Sequence, residues 1–220
     1  MKKYYYEYER VSAYCYPDSW VLRNRLNIQE ADALNFAERE ITSARMQEAL
    51  EFPLRGRFDL KHLQKLHEFI FREVYAWAGE LRTINIAKGN QFCNYEYLEQ
   101  YAAGIFDELK AEKYLAKVPS AQIPARLAYY LGEINVLHPF REGNGRAQRV
   151  FIAYLAQAAG YSITFEDVPA DEMIEASALA FAKDYAPMKQ MFERIVSPIS
   201  AEEQRAFRIK MGLSRPRKRA

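Results

Sequence analysis

Twelve consecutive residues, His138-Pro139-Phe140-Arg141-Glu142-Gly143-Asn144-Gly145-Arg146-Ala147-Gln148-Arg149, bring together an imidazole, a carboxylate, an amide, two glycines and three guanidinium groups. Gly143-Asn144-Gly145 leads into a helical pattern. Glycines let a backbone approach a ligand closely and take positive φ. The free N–H groups of a helix start, with the dipole behind them, favour an anion. Arg146 and Arg149 are three apart, so they leave one helix face. Two guanidinium forks beside a backbone nest suit a polyphosphate. Glu142 beside bound phosphates is a natural Mg²⁺ ligand, because that ion is held by one or two carboxylates plus substrate oxygens. His138 is placed at a helix end by Pro139 and is the candidate general base. Phe140 is expected to pack inward and anchor the loop. No Gly-Lys-Ser/Thr ending and no preceding hydrophobic strand are present, so this is not a Walker loop. The chemistry implied is nucleophilic substitution at a nucleotide phosphorus, with the cradle stabilising charge on phosphate oxygens.

A loop of this kind needs helices on both sides. Before it, Ile123, Leu127, Tyr130, Leu131, Ile134 and Leu137 form one apolar face, with Pro124 in the first turn. Pro139 ends that helix near Leu137. After it, Val150, Phe151, Tyr154, Leu155 and Ala158 turn inward up to a stop at Gly160. Further helices are predicted over about 28–51 (a capping box at Asn27 and Glu30; Leu34, Ala37, Ile41 and Ala44 inward), 60–77 (capped by Asp59; Leu63, Leu66, Ile70, Val74 and Trp77), 94–113, 169–183, and from Asp184 and Pro187 with Met188, Met191, Phe192 and Ile195 inward. Leu81 to Ile86 alternates at period two and reads, with Ala87-Lys88-Gly89-Asn90 and Gln91-Phe92, as a hairpin and as the one convincing strand signal. An isolated hairpin is marginal, so it must lean on the helices. The fold expected is mainly α, a single domain over 1–199 with one β-hairpin, followed by a basic tail over 200–220.

Composition bounds the rest. Of 220 residues, half are hydrophobic and 14% aromatic, which suits a globular core. No apolar run approaches the length of a membrane span, and the Tyr-rich start (Tyr4, Tyr5, Tyr6, Tyr8) lacks a signal peptide's apolar region. A cytoplasmic protein is expected, in the producer or in a host cell if translocated. The formal charge of +2 hides a basic C-terminus: residues 205–220 hold seven basic and no acidic groups, leaving 24 basic against 29 acidic before them. That tail is expected to be a solvated terminus, and direct nucleic-acid binding is not expected. Cys15 and Cys93 are expected to be reduced thiols. His62 and His67, five apart, do not share the helix face that a metal pair needs.

The twelve residues resemble the signature of the Fic (filamentation induced by cAMP) family, His-x-Phe-x-(Asp/Glu)-Gly-Asn-Gly-Arg-x-x-Arg, at every fixed position. Trp77-Ala78-Gly79-Glu80-x-Arg82, Ile86-Ala87-Lys88-Gly89 and Asn135-Val136-Leu137 are similar to other parts of the family's pattern, so the likeness covers about residues 12–197. The resemblance implies a Fic-type helical bundle and transfer of AMP from ATP to a Ser, Thr or Tyr hydroxyl of a target protein. It implies His138 as base and Glu142 as holder of Mg²⁺. Gly143, Asn144, Gly145 and Arg146 would bind phosphate, Arg149 would meet the γ-phosphate, and Lys88 and Gly89 would lie against ATP. The hairpin of about 82–93 would be a flap on which Thr83, Ile84, Asn85, Ile86 and Phe92 align the target as an added strand. The adenine would lie between that flap and the 170–184 helix.

Regulation follows from the same resemblance. Many such proteins are restrained by a (Ser/Thr)-x-x-x-Glu-(Gly/Asn) helix whose Glu pairs with the second motif arginine, here Arg149. Thr42 has Met46 four residues on, Ser43 has Gln47, Ser12 has Tyr16 and Ser200 has Gln204, so no segment fits. The chain therefore resembles the class restrained by a separate small antitoxin, which would contact Arg149, and whose targets include type II topoisomerase subunits. Tyr4 to Tyr8 could also accept the group, although packing against the body is the favoured reading. The alternatives are UMP, phosphocholine or phosphate transfer on the same scaffold, and a non-catalytic nucleotide-binding module. The retained Gly145 favours AMP over kinase-like transfer.

Overall fold

The structure, a computed structural model, describes residues 6–8 and 14–214. The side chains of Tyr4 to Tyr8 and the basic run 215–219 lie outside the described residues. The helices are α1 (Ala31–Glu51), α2 (Leu60–Phe71), α3 (Leu98–Ala111), α4 (Ile123–Leu137), α5 (Asn144–Ala159), α6 (Ala170–Phe181), α7 (Ala186–Ile195) and α8 (Ala201–Lys210). At the centre is α5. Its run from Val150 to Ala156 is buried on every side, as befits a helix with neighbours all round. Against it pack α4, α2, α1 and α8, while α6 and α7 cover the far side of α4. The apolar faces expected for α4, α5 and α7 are the buried ones.

Several boundaries differ from those the sequence suggests. The capping box at Asn27 does not form. Asn27 takes φ 54°, and Glu30 itself caps α1 by accepting from the N–H groups of Asp32 and Ala33. Among the residues that α1 buries are Leu34, Glu38, Thr42 and Ala49, while Ala44 is exposed, so a polar pair interrupts the expected apolar stripe. Helix α2 stops at Phe71 rather than 77. Val74 and Tyr75 remain buried in the turns that follow, and Gly79 takes φ 86° in the next loop.

The hairpin is shorter than its alternation suggested and is not alone. Strand β2 (Ile86–Lys88) turns at Gly89, φ 76°, into β3 (Asn90–Gln91), and Leu81 to Asn85 form its irregular root. Strand β1 (Tyr6–Tyr8) pairs antiparallel with the other edge of β2, Tyr6 opposite Lys88 and Tyr8 opposite Ile86. A second sheet joins β4 (Tyr161–Ile163) to β5 (Val196–Pro198). Three-residue strands leave no period in a sequence, which is why the pairings stayed hidden. The tail assignment is also corrected. Ser200 and Glu203 form a complete capping box for α8, whose Phe207 is buried and whose Arg208 and Gln204 side chains bond the Ala158 carbonyl. The basic residues of α8 thus belong to the folded body. Cys15 and Cys93 are both free thiols.

Candidate active site

His138 follows directly on α4 and takes a left-handed conformation, φ 43° and ψ 60°, because Pro139 forbids a further helical turn. That conformation costs a non-glycine residue roughly 1–2 kcal/mol, so the surroundings must hold it. Arg82 does so. Fully buried, it donates Nε–H to the His138 carbonyl at 2.8 Å, Nη1–H to Ile84 at 2.6 Å and Nη2–H to Cys93. One guanidinium therefore ties the base's backbone to both legs of the hairpin. The His138 ring stacks on Phe92 at 3.7 Å, and its Nδ1 lies 3.2 Å from the Asn135 carbonyl. A carbonyl accepts only, so Nδ1 carries the proton and Nε2 keeps its lone pair. Burial first, then the charges of Arg82 and Lys88, hold His138 down to about 3 against the Asn135 bond. The ring is neutral at physiological pH.

The loop after it is closed by Asn144, whose side chain accepts from the Phe140 N–H at 2.9 Å and donates to the Phe140 carbonyl at 2.8 Å. Both ends of that amide are spent on the loop's own backbone. What α5 offers a ligand is its N-terminal amides, those of Asn144 and Gly145, which have no helical acceptor. Gly143 precedes them with φ 79°, and a Cβ there would stand 2.1 Å from Phe71. Gly143→Ala adds left-handed strain to a collision with a packed ring, so a loss of about 2–4 kcal/mol is expected. A melting temperature within 2 °C of the parent protein would contradict it.

The two motif arginines part company. Arg146 turns back toward α1: Nη2 meets Glu38 Oε1 at 2.5 Å, Nη1 donates to Thr42 Oγ1 at 2.9 Å, and the guanidinium lies 4.7 Å from the Phe71 ring centre. Glu142 is farther, at 3.6 Å. Arg149 instead lines the cleft that holds His138, and no carboxylate pairs with it among the described residues. Burial, then Arg146, pushes its guanidinium below the usual arginine value. A half-buried cation without a counter-ion is poised for an anionic ligand.

The cleft has a cavity volume of about 200 Å³ and opens to solvent. One wall is apolar (Leu131, Met173, Ile174, Ala178, Phe181). The other carries Lys88, Asn90, Phe92, Asn135, His138, Gly145, Gln148 and Arg149. Of the flap residues singled out from the sequence, Phe92 and Lys88 reach the cleft. Ile84 and Ile86 are buried beneath the hairpin, the Thr83 N–H donates to the Tyr14 hydroxyl, and the Asn85 side chain accepts from the Tyr95 N–H. Gly89 forms the flap's turn. The side chains of Glu142, Asn144 and Arg146 do not line this cleft.

Glu142 could hold a divalent cation. Its Oε1 accepts only the Gly143 N–H at 2.9 Å, and burial, then Glu38, pushes its carboxyl up, so a cation at that point would be favoured. No group of three or more acidic, His or Cys side chains is arranged to hold a metal ion among the described residues. A single carboxylate fits an ion that brings phosphate oxygens with it.

His67 is a participant that its sequence position did not reveal. Its Nε2–H donates to the Glu142 carbonyl at 2.9 Å, its Nδ1 accepts from the Gly79 N–H at 2.9 Å, and its ring stacks 3.8 Å from Phe140. It fixes the loop's carbonyl from below. Only its place on the buried stripe of α2 hinted at this. Glu38 and Thr42, one turn apart on α1, are visible in sequence as polar breaks in an apolar face.

Comparison with known proteins sets this geometry in context. The Fic/DOC family profile matches residues 57–156. "Probable protein adenylyltransferase y4lH" of Sinorhizobium fredii is 40% identical over 184 residues, covering 83% of this chain and 94% of that protein. "Protein adenylyltransferase VbhT" of Bartonella schoenbuchensis is 37% identical over 182 residues, and this chain spans 38% of its length. Among solved structures, the N-terminal Fic domain of a cell filamentation protein from Bartonella quintana, with bound ADP, superposes with a TM-score of 0.80 at 27% identity, covering 86% of this chain and 96% of that one.

Proposed function

The chain belongs to the Fic/DOC family, and from that membership and the site's geometry we infer the reaction: it is a protein adenylyltransferase, moving AMP from ATP to a hydroxyl of a target protein. The observation that carries the assignment of parts is the presence, in one cleft, of a neutral imidazole and of an α5 guanidinium that no carboxylate pairs among the described residues. His138 Nε2 takes the proton of the acceptor hydroxyl. The oxygen attacks the α-phosphorus, the bond to the bridging oxygen breaks, and pyrophosphate leaves. The amides of Asn144 and Gly145 receive the developing charge on phosphate oxygens, while Arg149 holds the γ-phosphate. Asn144's side chain keeps the loop in register for those amides. Glu142 would hold Mg²⁺, which supplies charge neutralisation on the phosphates when bound. The adenine lies against Met173, Ile174, Ala178 and Phe181, with Lys88 and Gly89 of the flap over the nucleotide.

The target is read as an extended segment added beside the flap, brought near His138 by Phe92. Because β1 takes one edge of β2, an incoming strand displaces β1 or adds along β3. Type II topoisomerase subunits are the first targets to try. A separate antitoxin whose glutamate meets Arg149 is the proposed restraint, supported by the absence of an internal (Ser/Thr)-x-x-x-Glu-(Gly/Asn) segment and by Arg149 having no carboxylate partner among the described residues. Glu38 engages Arg146 instead. Among the described residues, no helix is long and apolar enough to cross a membrane. Action in the cytoplasm is part of the proposal.

The reading is tested by incubating the chain with α-labelled ATP, Mg²⁺ and cell lysate, then identifying labelled proteins by mass. An added AMP supports it, whereas an added phosphate would move the chemistry to the kinase-like alternative. Arg149→Glu should weaken ATP binding at least tenfold, since one charge-assisted hydrogen bond contributes about 1.5–3 kcal/mol. Calorimetric affinity equal to wild type would remove its γ-phosphate role.

A further inference from the structure

Glu38 belongs to none of the motifs, yet it is among the few charged residues buried in this fold, 8% exposed. Buried carboxylates require partners, and it has two: Arg146 on one oxygen and the Tyr75 hydroxyl on the other. Thr42, one turn later, adds a second contact to the same guanidinium. The Thr42 hydroxyl in turn donates to the Glu38 carbonyl at 2.7 Å. Phe71 closes the remaining face. A motif arginine is thus enclosed by α1 and the end of α2, although nothing in the local sequence of the motif requires it.

The consequence lies in the carboxylate that Arg146 does not take. Glu142 stands only 3.6 Å from the same Nη2. Without Glu38, Arg146 would have one carboxylate left within reach, and it would be Glu142. We propose that Glu38 is a positioning residue: by serving as the fixed counter-ion of Arg146, it keeps Glu142 available to a divalent cation. This rests on the reading of Glu142 as the Mg²⁺ holder. The arrangement explains why two carboxylates and one guanidinium share the space behind the loop, with the shorter contact going to the residue remote from the cleft.

The test is the factor by which Mg²⁺ tightens ATP binding, measured calorimetrically with Mg²⁺ and with EDTA. Glu38→Gln should cut that factor about tenfold, the equivalent of ~1.4 kcal/mol, and change ATP binding in EDTA far less. Removing both charges, in Glu38→Gln/Arg146→Gln, should restore the factor, because no freed guanidinium then competes for Glu142. A purely structural role for Glu38 would weaken ATP equally under both conditions and would not be rescued. Should Glu38→Gln yield too little folded protein, Thr42→Val loosens Arg146 more gently and should cut the same factor two- to threefold. If wild type shows Mg²⁺ tightening and both variants retain it in full, the proposal is overturned while the reading of Glu142 stands. If wild type shows none, the Glu142 reading falls and the proposal with it.

Discussion

His138→Ala is expected to slow AMP transfer by on the order of 10²–10⁴, the usual contribution of a general base, while ATP affinity changes only a few-fold. The separation follows from geometry. The groups proposed to face the phosphates are backbone amides of α5 and Arg149, none of which depends on the imidazole. What the ring supplies is Nε2, left as the acceptor because Nδ1–H is committed to the Asn135 carbonyl. Protonation does not limit it at neutral pH, since burial and the charges of Arg82 and Lys88 hold His138 down to about 3. A base that weak would abstract a proton poorly, but the ligand alters the balance. A bound triphosphate places several negative charges in the same cleft, which offsets Arg82 and Lys88 and raises the basicity of the ring when substrate is present. The acid limb of kcat is therefore expected at higher pH than that of kcat/KM, which reports the free enzyme. Single-turnover labelling at saturating ATP, with a melting curve to establish that the variant is folded, decides the matter. Wild-type labelling by His138→Ala would remove the base assignment, and coincident acid limbs would remove the electrostatic coupling.

The candidate reacting parts of this protein are legible in its sequence because they are local. Twelve residues carry a complete loop, and its helix on either side is announced by apolar spacing. The parts that hold the loop are not local. Arg82 grips a carbonyl 56 residues away, His67 one 75 residues away, and Glu38 a guanidinium 108 residues away. Each is a polar residue whose partner is chosen by the packing of α1, α2 and the hairpin root on α4 and α5. No period or motif expresses that choice. Asn144 shows the converse: its place in the motif was clear, but only the structure reveals that its side chain serves the loop rather than the cleft. The hairpin was recognisable by its turn glycine, whereas β1, β4 and β5, with three residues each, were beneath any pattern.

Acid should unfold this protein between about pH 5 and 4, and its histidines are the reason. The chain has three, and all are buried: His62, held down to about 4, and His67 and His138, each held down to about 3. Burial is the leading cause in every case. In the unfolded chain a histidine titrates near 6.5. The folded values lie below this, so the native state disfavours the proton. The resulting stability is complete above about pH 6.5 and is lost as pH falls toward the folded values. Each histidine contributes a slope of roughly 1.4 kcal/mol per pH unit inside that window, or about 4 together. Glu142, held above its ordinary range, takes up its proton early and offsets part of this, while Glu133, held below its range by Lys183, Tyr185 and Tyr101 against its burial, adds to the loss. Against a total of about 5–15 kcal/mol for a folded domain, two pH units suffice. His67 makes the effect more than general destabilisation. Its Nδ1 accepts the Gly79 N–H, so protonation sets two N–H groups against each other there, while Nε2–H still donates to the Glu142 carbonyl. Urea midpoints measured from pH 7.5 to 4.5 should fall with a slope of more than one proton, and in His67→Gln the slope should drop by about one. A midpoint unchanged from pH 7 to 5 would mean that these histidines accept protons without disturbing the fold.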